Sequence, residues 1–157
     1  MPYGDTYTVR HSAAISTAIT ALQIAAGAAV PFQILSGSLT QRGSTASAQE
    51  EISFVRKTAA ATVTAAVVGT HVFKRSPNAP TPSLQLGTAL TGVIGTAEGT
   101  DGDILWREGF NVLNGYKYLP VPEERIIVAG AGIIGLKFFT APANQNWDLQ
   151  TSIQELG

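Results

Sequence analysis

A glycine-rich motif late in the chain is the pattern with the most obvious chemistry. Gly130-Ala-Gly132-Ile-Ile-Gly135 has the G-x-G-x-x-G spacing of a dinucleotide-binding turn, and it follows a β-branched run at residues 126–128. In such a turn the glycines let the backbone approach a pyrophosphate at the N-terminus of a helix. A nucleotide site therefore requires a helix directly after the motif.

The residues after the motif do not favour that helix. Lys137-Phe-Phe-Thr-Ala-Pro142 consists of β-formers followed by a proline. Further on, Trp147, Leu149 and Ile153 share one parity with polar residues between them, which is the period of a half-buried antiparallel strand. We therefore predict no cofactor. The glycines are predicted to lie between two antiparallel strands, residues 125–128 and 133–139, at the closing edge of a β-sandwich.

The two histidines, His11 and His71, are the only imidazoles available for catalysis or metal binding. Neither has a histidine or carboxylate at ligand spacing, so both are predicted to be loop or strand-end residues. A Ser-His-Asp triad could still assemble in space. However, the chain has no G-x-S-x-G nucleophile motif. We therefore predict that it is not an enzyme.

Three groups of acidic residues could suggest carboxylate chemistry. Glu98, Asp101 and Asp103 lie in a glycine-rich segment that could hold a calcium ion. The segment lacks the ligand ladder of an EF-hand, so a plain solvated turn is the preferred interpretation and no metal is predicted. The Glu-Glu pairs at residues 50–51 and 123–124 could suggest glycoside hydrolysis. Adjacent strand residues point to opposite faces, so these pairs are predicted to be solubilising charges.

Several aromatic residues could line an interface or a sugar-binding platform, because their side chains combine a large apolar area with polar tips. Most are predicted to belong to the core, with a protein interface as the second interpretation and a carbohydrate site as the third. The residues are Trp106, Phe110, Tyr116, Tyr118 and Trp147.

The composition narrows the range of functions. The 157 residues are most simply one domain, and the absence of cysteine excludes disulfides and thiolate metal sites. Ten basic and eleven acidic residues are scattered along the chain, so no nucleic-acid partner is predicted. No membrane partner is predicted either, because no apolar run approaches the roughly 20 residues that cross a bilayer and no secretory signal is recognisable. Only 13% of the residues are charged, which indicates that other protein covers much of the surface.

The rest of the chain consists of short strand patterns separated by glycine and polar turns. Residues 5–10 are predicted to form a first strand or an extended arm, and residues 12–29 favour strand over helix. The proline-rich residues 73–82 are predicted to be an exposed loop, and residues 95–103 a second loop. Other strand candidates are residues 30–39, 52–55, 62–68, 84–86, 104–106 and 116–119. Because amphipathic crossover helices are missing, we predict an all-β, antiparallel β-sandwich.

The order of these segments resembles a known family. The segments that carry the resemblance include Thr6-Tyr-Thr-Val, Ala29-Val-Pro-Phe-Gln-Ile-Leu-Ser-Gly-Ser-Leu, Glu51-Ile-Ser-Phe-Val-Arg-Lys-Thr and Leu119-Pro-Val-Pro-Glu-Glu-Arg-Ile-Ile-Val. The segment that carries it most strongly is Gly135-Leu-Lys-Phe-Phe-Thr-Ala-Pro-Ala-Asn-Gln-Asn-Trp-Asp-Leu-Gln-Thr-Ser-Ile-Gln-Glu. Together they resemble tailed-bacteriophage capsid decoration (cement) proteins, which have a jelly-roll-like β-sandwich.

This resemblance implies a structural virion protein that is made in the host cytoplasm and seated on the outer surface of the capsid. Its partners would be the major capsid protein and further copies of itself, in a homotrimer at local threefold positions. Each copy would stabilise the capsid by bridging neighbouring capsid subunits, and the family pattern contains no catalytic residue to transfer. The alternative function is a tail or head-surface host-recognition module that binds glycans.

The predicted contacts follow from the extended segments. Residues 1–12 are predicted to be an N-terminal arm or first edge strand, and residues 13–157 the β-sandwich domain. Unpaired extended segments invite strand addition or clasping by a neighbour. The capsid or subunit interface is therefore predicted to use the arm and the proline-rich loop. The predicted interface residues are Tyr3, Tyr7, Arg10, Lys74, Arg75 and Pro77.

Overall fold

The computed structural model describes residues 4–43, 47–87, 90–143 and 145–157. These residues form twelve β-strands and one 3-10 turn, with no α-helix among them. The strands are β1 (Thr6–Ile15), β2 (Thr20–Ala25), β3 (Phe32–Arg42), β4 (Gln49–Ala59), β5 (Thr62–Ala65), β6 (Val72–Lys74), β7 (Gly92–Ala97), β8 (Thr100–Asn111), β9 (Tyr116–Tyr118), β10 (Ile127–Val128), β11 (Ile133–Lys137) and β12 (Gln145–Glu155), and the 3-10 turn is Pro122–Glu124. The predicted all-β fold is confirmed.

The strands form two antiparallel sheets that pack against each other as a β-sandwich, as predicted. The order in the first sheet is β10-β3-β12-β1-β6, and β9 also pairs with β3. The order in the second sheet is β5-β7-β2-β11-β4-β8. Most of the predicted strands correspond to strands of these sheets, but residues 84–86 lie outside any strand.

Early and late strands of the chain pair in nested order. β1 pairs with β12, β2 with β11, β3 with β9 and β10, and β4 with β8. Two further ladders, β12 with β3 and β11 with β4, join these pairs into sheets. The chain therefore runs as one long antiparallel ribbon that is wound over itself, and β5, β6 and β7 extend its sheets on one side.

The strand β12 shows how the sequence pattern builds the core. Trp147, Leu149 and Ile153 are buried in the core between the sheets, whereas Gln150 is exposed. Burial of an apolar side chain of this kind contributes about 1.5–3 kcal/mol. The predicted alternating strand is confirmed, but it lies between β1 and β3 rather than at the edge of the sandwich.

The strand β1 corrects the prediction for the N-terminal residues. Residues 6–12 are not an arm, because β1 runs on to Ile15 and pairs with β12 along its whole length. The strand alternative of the prediction is therefore the correct one, and β6 pairs with the other side of β1 at residues 7–9 only. The physical reason is the apolar face of β1, where Tyr7 and Val9 are fully buried.

The alanine-rich residues 12–29 form strands rather than a helix, as predicted. β1 ends at Ile15, and every residue of β2 is buried. Just beyond β2 the chain approaches a neighbouring segment so closely that a Cβ added to Gly27 would lie 2.2 Å from the Ser83 carbonyl oxygen. Small residues therefore allow the close packing on this side of the second sheet.

Residues 95–103 continue two strands and do not form the predicted loop. β7 ends at Ala97 and β8 begins at Thr100, so only Glu98 and Gly99 lie between them. β8 pairs with β4, and β7 pairs with β5. The consecutive strands β4 and β5 therefore run alongside the consecutive strands β7 and β8 as a two-stranded ribbon, which bends where β7 meets β8. Gly99 suits this bend because it has a φ of +63° and lies against the Ala60 carbonyl, 2.3 Å from where a Cβ would be.

Gly130 and Gly132 connect strands of different sheets. β10 pairs with β3 in the first sheet, whereas β11 pairs with β2 and β4 in the second. The predicted antiparallel pairing of residues 125–128 with residues 133–139 is therefore wrong. The crossing places Ala131 at a φ of +60° and brings Gly130 against the Ala28 carbonyl oxygen, 2.8 Å from where a Cβ would be. Strand β11, not a helix, follows directly.

Candidate interaction surfaces

Three cationic residues lie along the edge of the first sheet that β1 and β6 form. Arg10 belongs to β1, Lys74 ends β6, and Arg75 follows it. All three are exposed, and none forms an ion pair with the acidic side chains that the structure describes. Arg10, Lys74 and Arg75 are termed the basic edge below.

Two contacts order the guanidinium groups of the basic edge without neutralising them. The central carbon of the Arg10 guanidinium lies 4.0 Å from the centroid of the Phe73 ring, which is a cation–π geometry. A guanidinium nitrogen of Arg75 donates a hydrogen bond to Ser152 Oγ at 3.4 Å. The positive charges therefore remain available to another molecule.

The proline-rich loop leads away from the basic edge and is tied to the core. Pro77 is exposed in this loop, as expected for the predicted exposed segment. The Tyr7 hydroxyl donates a hydrogen bond to the Pro80 carbonyl oxygen at 3.1 Å. Ala79 and Pro82 are buried as well, so the far part of the loop packs against the molecule, and residues 73 and 74 of the predicted loop belong to β6.

Tyr7 is a core residue, which corrects its predicted place in an interface. It has no exposed surface because the apolar face of β1 turns toward the second sheet. Burial, followed by the negative charges of Glu155 and Asp5, raises the pKa of Tyr7 to about 12. The predicted interface residue Tyr3 lies outside the described residues.

The structure brings together the two histidines, although they are 60 positions apart in the chain and no motif links them. The ring centroids of His11 and His71 lie 5.3 Å apart beside a groove of about 620 Å³ next to the basic edge. His71 Nδ1 accepts a hydrogen bond from the Val67 N–H at 3.2 Å. Burial, with a further contribution from His71, lowers the pKa of His11. His11 is therefore neutral at pH 7.

The same groove contains a serine and an aspartate, but their arrangement is not that of a catalytic triad. Ser12 Oγ donates a hydrogen bond directly to Asp148, which also pairs with Arg42 at 2.9 Å. A serine nucleophile needs a base that accepts its proton, and in a triad that base is an imidazole. Within the described part of the chain, no hydrogen bond joins Ser12 to His11 or His71. Ser12 is therefore not arranged as the nucleophile of a triad.

Glu98 and Asp101 do not form the predicted solvated turn, because two lysines hold them. Lys57 Nζ lies 2.6 Å from an Asp101 carboxylate oxygen and 3.4 Å from a Glu98 carboxylate oxygen. Lys137 Nζ lies 2.6 Å and 2.9 Å from oxygens of the same two residues. The Lys57 side chain has no exposed surface. These four residues are termed the charge cluster.

The charge cluster shifts the acid–base equilibria of its carboxyl groups. Burial alone would raise the pKa of Glu98, but hydrogen bonds from Thr20 and Lys137 outweigh it and hold that pKa below its usual value. The pKa of Asp101 is lowered in the same way, by Lys137 and Lys57 against the effect of burial. Both carboxylates are therefore ionised at neutral pH.

This pairing also bears on the calcium interpretation of the acidic segment. The carboxylates of Glu98 and Asp101 are neutralised by lysine, while Asp103 pairs with Arg56 at 3.1 Å. Among the described residues no group of three or more histidine or acidic side chains could hold a metal ion. The acidic segment thus contributes ion pairs to the fold.

The other acidic pairs have separate partners. Glu50 accepts a hydrogen bond from the Ala143 N–H at 2.9 Å, and Glu51 pairs with Arg107 at 3.2 Å. Glu123 and Glu124 lie exposed in the 3-10 turn. These arrangements do not bring two carboxylates together across a cleft.

The aromatic residues divide between core and surface on the flank opposite the basic edge. Phe110, Tyr118 and Trp147 are buried, which confirms the core interpretation for these three. Trp106 and Tyr116 are half-buried, with ring centroids 4.7 Å apart, and they line an open groove of about 470 Å³. The Tyr116 hydroxyl donates a hydrogen bond to Glu108 at 3.1 Å.

Large aliphatic side chains are exposed around this groove. Leu119 is 63% exposed, Ile127 58% and Val121 53%. Leu105 lines both this groove, which Leu119 also lines, and a second groove of about 260 Å³ that Ile127 lines, so the two grooves are neighbours. Leu105, Leu119, Val121 and Ile127 are termed the apolar flank.

Three comparisons with known proteins were negative. A scan of protein-family models found no match to this chain, and searches of curated proteins and of solved structures found none either. No helix among the described residues is long and apolar enough to cross a bilayer. The surfaces of the molecule are therefore the basis for a functional proposal.

Proposed function

We propose that this chain is a structural virion protein that binds the outside of a tailed-phage capsid and stabilises it by bridging subunits of the major capsid protein. The observation that carries the proposal is the basic edge. In a chain with few charges, three exposed cations gather at one sheet edge and lack ion pairs with the described acids. Such a surface suits an acidic patch on another protein.

The strand arrangement supports the proposal. Nested pairing of β1 with β12, β2 with β11, and β4 with β8 is the order expected of a jelly roll, in which a folded ribbon closes into two packed sheets. The resemblance to decoration proteins implies the same jelly-roll-like sandwich.

The stabilisation would be mechanical. Each copy would place its basic edge and the exposed Pro77 loop against neighbouring capsid subunits, and a homotrimer would multiply the number of contacts. Many weak contacts then act together through a high effective concentration. A ligand that binds only the assembled shell stabilises that shell by mass action. Binding of the protein would make the capsid more resistant to disassembly, and no reaction would be catalysed.

The test is reconstitution on phage heads that lack the protein. Purified heads are mixed with the recombinant chain, pelleted, and the bound chain is quantified on a gel. We expect saturable binding and density on the outer surface by cryo-electron microscopy. A chain that does not bind heads, or that is found only on tails, would contradict the proposal.

A matched pair of variants connects binding to the basic edge. Arg75→Gln removes one cation from the edge, and Arg107→Gln removes one from β8, where Arg107 already pairs with Glu51. We expect the first variant to lower head occupancy and the second to leave it unchanged. Equal occupancy for both variants would show that the basic edge does not make the contact.

The glycan-binding alternative has its own candidate site. Trp106 and Tyr116 present half-buried rings beside the Glu108 carboxylate, and stacking of a sugar on an aromatic ring needs such an accessible face. A glycan array tests it. Selective binding that disappears in Trp106→Ala would favour a host-recognition module over a decoration protein.

A further inference from the structure

We infer that the apolar flank is the surface through which copies of this chain contact one another. The proposed function includes a homotrimer, and the inference names the surface through which its copies would meet; to that extent it rests on the proposed function. It concerns a different surface from the basic edge. The partner is therefore a second copy of this chain, and the contact is apolar at its centre.

The first argument is the apolar area. Leu119, Val121 and Ile127 are each more than half exposed, and Leu119 and Ile127 line two grooves that share Leu105. Ile104, 43% exposed, lies next to Leu105 in β8. Soluble monomers rarely keep a continuous patch of large aliphatic side chains in water, and such patches usually mark protein contacts. Aliphatic side chains also suit a protein partner better than a sugar, because they offer no hydrogen bonds.

The second argument is charge, and it selects a second copy as the occupant. The residues around the apolar flank carry both signs: Glu108, Glu124 and Lys117 line the larger groove, and Glu123 and Arg125 are the chain neighbours of Glu124. A surface of mixed sign can complement another copy of itself. The basic edge cannot, because two copies meeting there would bring six cations together.

The geometry of β8 indicates how the copies would meet. β8 is the outer strand of the second sheet, but its register with β4 slips at three places, including one at Phe54/Val55 opposite Leu105. Such bulges disfavour extension of a sheet by another strand. The contact would therefore form through side chains of the apolar flank rather than through a continuous ladder of backbone hydrogen bonds.

The experiment measures the mass of the recombinant chain in solution by sedimentation equilibrium over a range of concentrations. We expect the wild-type chain to exceed its monomer mass of 16.4 kDa. Leu119→Asp and, independently, Ile127→Asp should raise the dissociation constant by about tenfold or more, because each places a charge in an apolar contact. Val67→Asp is the matched control, since Val67 is 54% exposed but lies in the turn before β6.

Several outcomes would overturn the inference. One is a wild-type chain that stays monomeric at all concentrations, and another is an oligomer that both flank variants leave intact. A third is a monomer that binds glycans through Trp106. Thermal unfolding of each variant checks that it is folded. The measurement uses no phage heads, so failure of self-association and failure of capsid binding are seen separately.

Discussion

The charge cluster and the basic edge use the same kinds of side chain in opposite environments. In the charge cluster, Lys57 and Lys137 each contact two carboxylates, and the Lys57 side chain has no exposed surface. On the basic edge, Lys74 is exposed and forms no ion pair among the described residues. A buried cation must be paired because desolvation is costly, whereas an exposed cation can remain unpaired at little cost.

The difference separates charges that serve the fold from charges that are available to a partner. Removing one of the two lysines from the charge cluster leaves two carboxylates with a single cation in a partly buried site. Removing one from the basic edge leaves no stranded charge. Changes at the two sites should therefore affect different properties, stability in the first case and binding in the second.

The largest effect is expected for Lys57→Met. This change keeps the volume of the side chain but leaves Asp101 and Glu98 with one lysine between them. We expect a loss of about 3 kcal/mol in the free energy of unfolding, measured by urea titration. Lys74→Met is the control and should change stability by less than about 0.5 kcal/mol. Equal losses would remove the distinction between the two sites.

A pH series tests the carboxylates of the charge cluster. Their pKa values are lowered in the folded state, so they stabilise the fold at neutral pH, and this stabilisation is lost as the pH falls through the folded-state values. We expect the melting temperature of the wild type to decrease once the pH is lowered beyond about 4. Asp101→Asn should melt lower at pH 7 and converge with the wild type in acid.

Glu155 provides a contrast within the same pH series. Burial, outweighing a backbone hydrogen bond from Ser83, raises the pKa of Glu155. Its ionised form is disfavoured by folding, so protonation of Glu155 should partly offset the acid loss. The melting temperature of Glu155→Gln should therefore decrease more steeply between pH 7 and acid pH than that of the wild type. A gap between wild type and Asp101→Asn that persists at low pH would contradict the role of Asp101.

A smaller effect is expected for Tyr7→Phe. The change removes the hydrogen bond to the Pro80 carbonyl oxygen while it preserves the buried ring. We expect a loss of about 1 kcal/mol and faster hydrogen exchange in the proline-rich loop. Tyr116→Phe is the control, because its partner Glu108 is exposed and water can replace the bond. Unchanged exchange in the loop would show that Tyr7 does not fix it.

The smallest effect on stability is expected when Arg10, Lys74 and Arg75 are all changed to glutamine. Arg10 loses its contact with Phe73, but no charge is left unpaired. We expect the free energy of unfolding of the triple variant to change by less than about 0.5 kcal/mol in total, while head occupancy falls strongly. A large loss of stability would show that the basic edge belongs to the fold and would weaken the proposed function.

Much of the fold could be predicted because it is written in local patterns. The alternation of Trp147, Leu149 and Ile153 identified β12, and short β-rich segments identified most other strands. Clustering of Lys74 and Arg75 was visible because they are adjacent in the chain. Arg10 joins them because β1 and β6 pair, and the prediction grouped it with them only as part of an arm.

The remaining features depend on contacts between distant parts of the chain. Glu98 and Asp101 looked solvated because Lys57 and Lys137, which bury them, belong to other strands. The approach of His11 to His71 likewise follows from the position of the turn before β6. Nothing local indicates that β1 will pair with β12 and turn Tyr7 toward the second sheet, so Tyr7 is predicted from the sequence as part of an arm. Local patterns determine which segments become strands, whereas their neighbours are determined by the whole chain.

The nested pairing of the strands also has a consequence for the folding rate. In the ladder between β1 and β12, Thr8 and Ser152 lie within hydrogen-bonding distance although 144 positions separate them in the sequence. Closing so long a loop costs conformational entropy before any contact compensates for it, and folds of high contact order form in milliseconds to seconds rather than microseconds. During synthesis β1 leaves the ribosome well before β12, with which it pairs along its whole length, has been made. Because β12 lies between β1 and β3, the two halves of the first sheet can join only after β12 has emerged, although β1 with β6 and β3 with β9 and β10 can pair earlier.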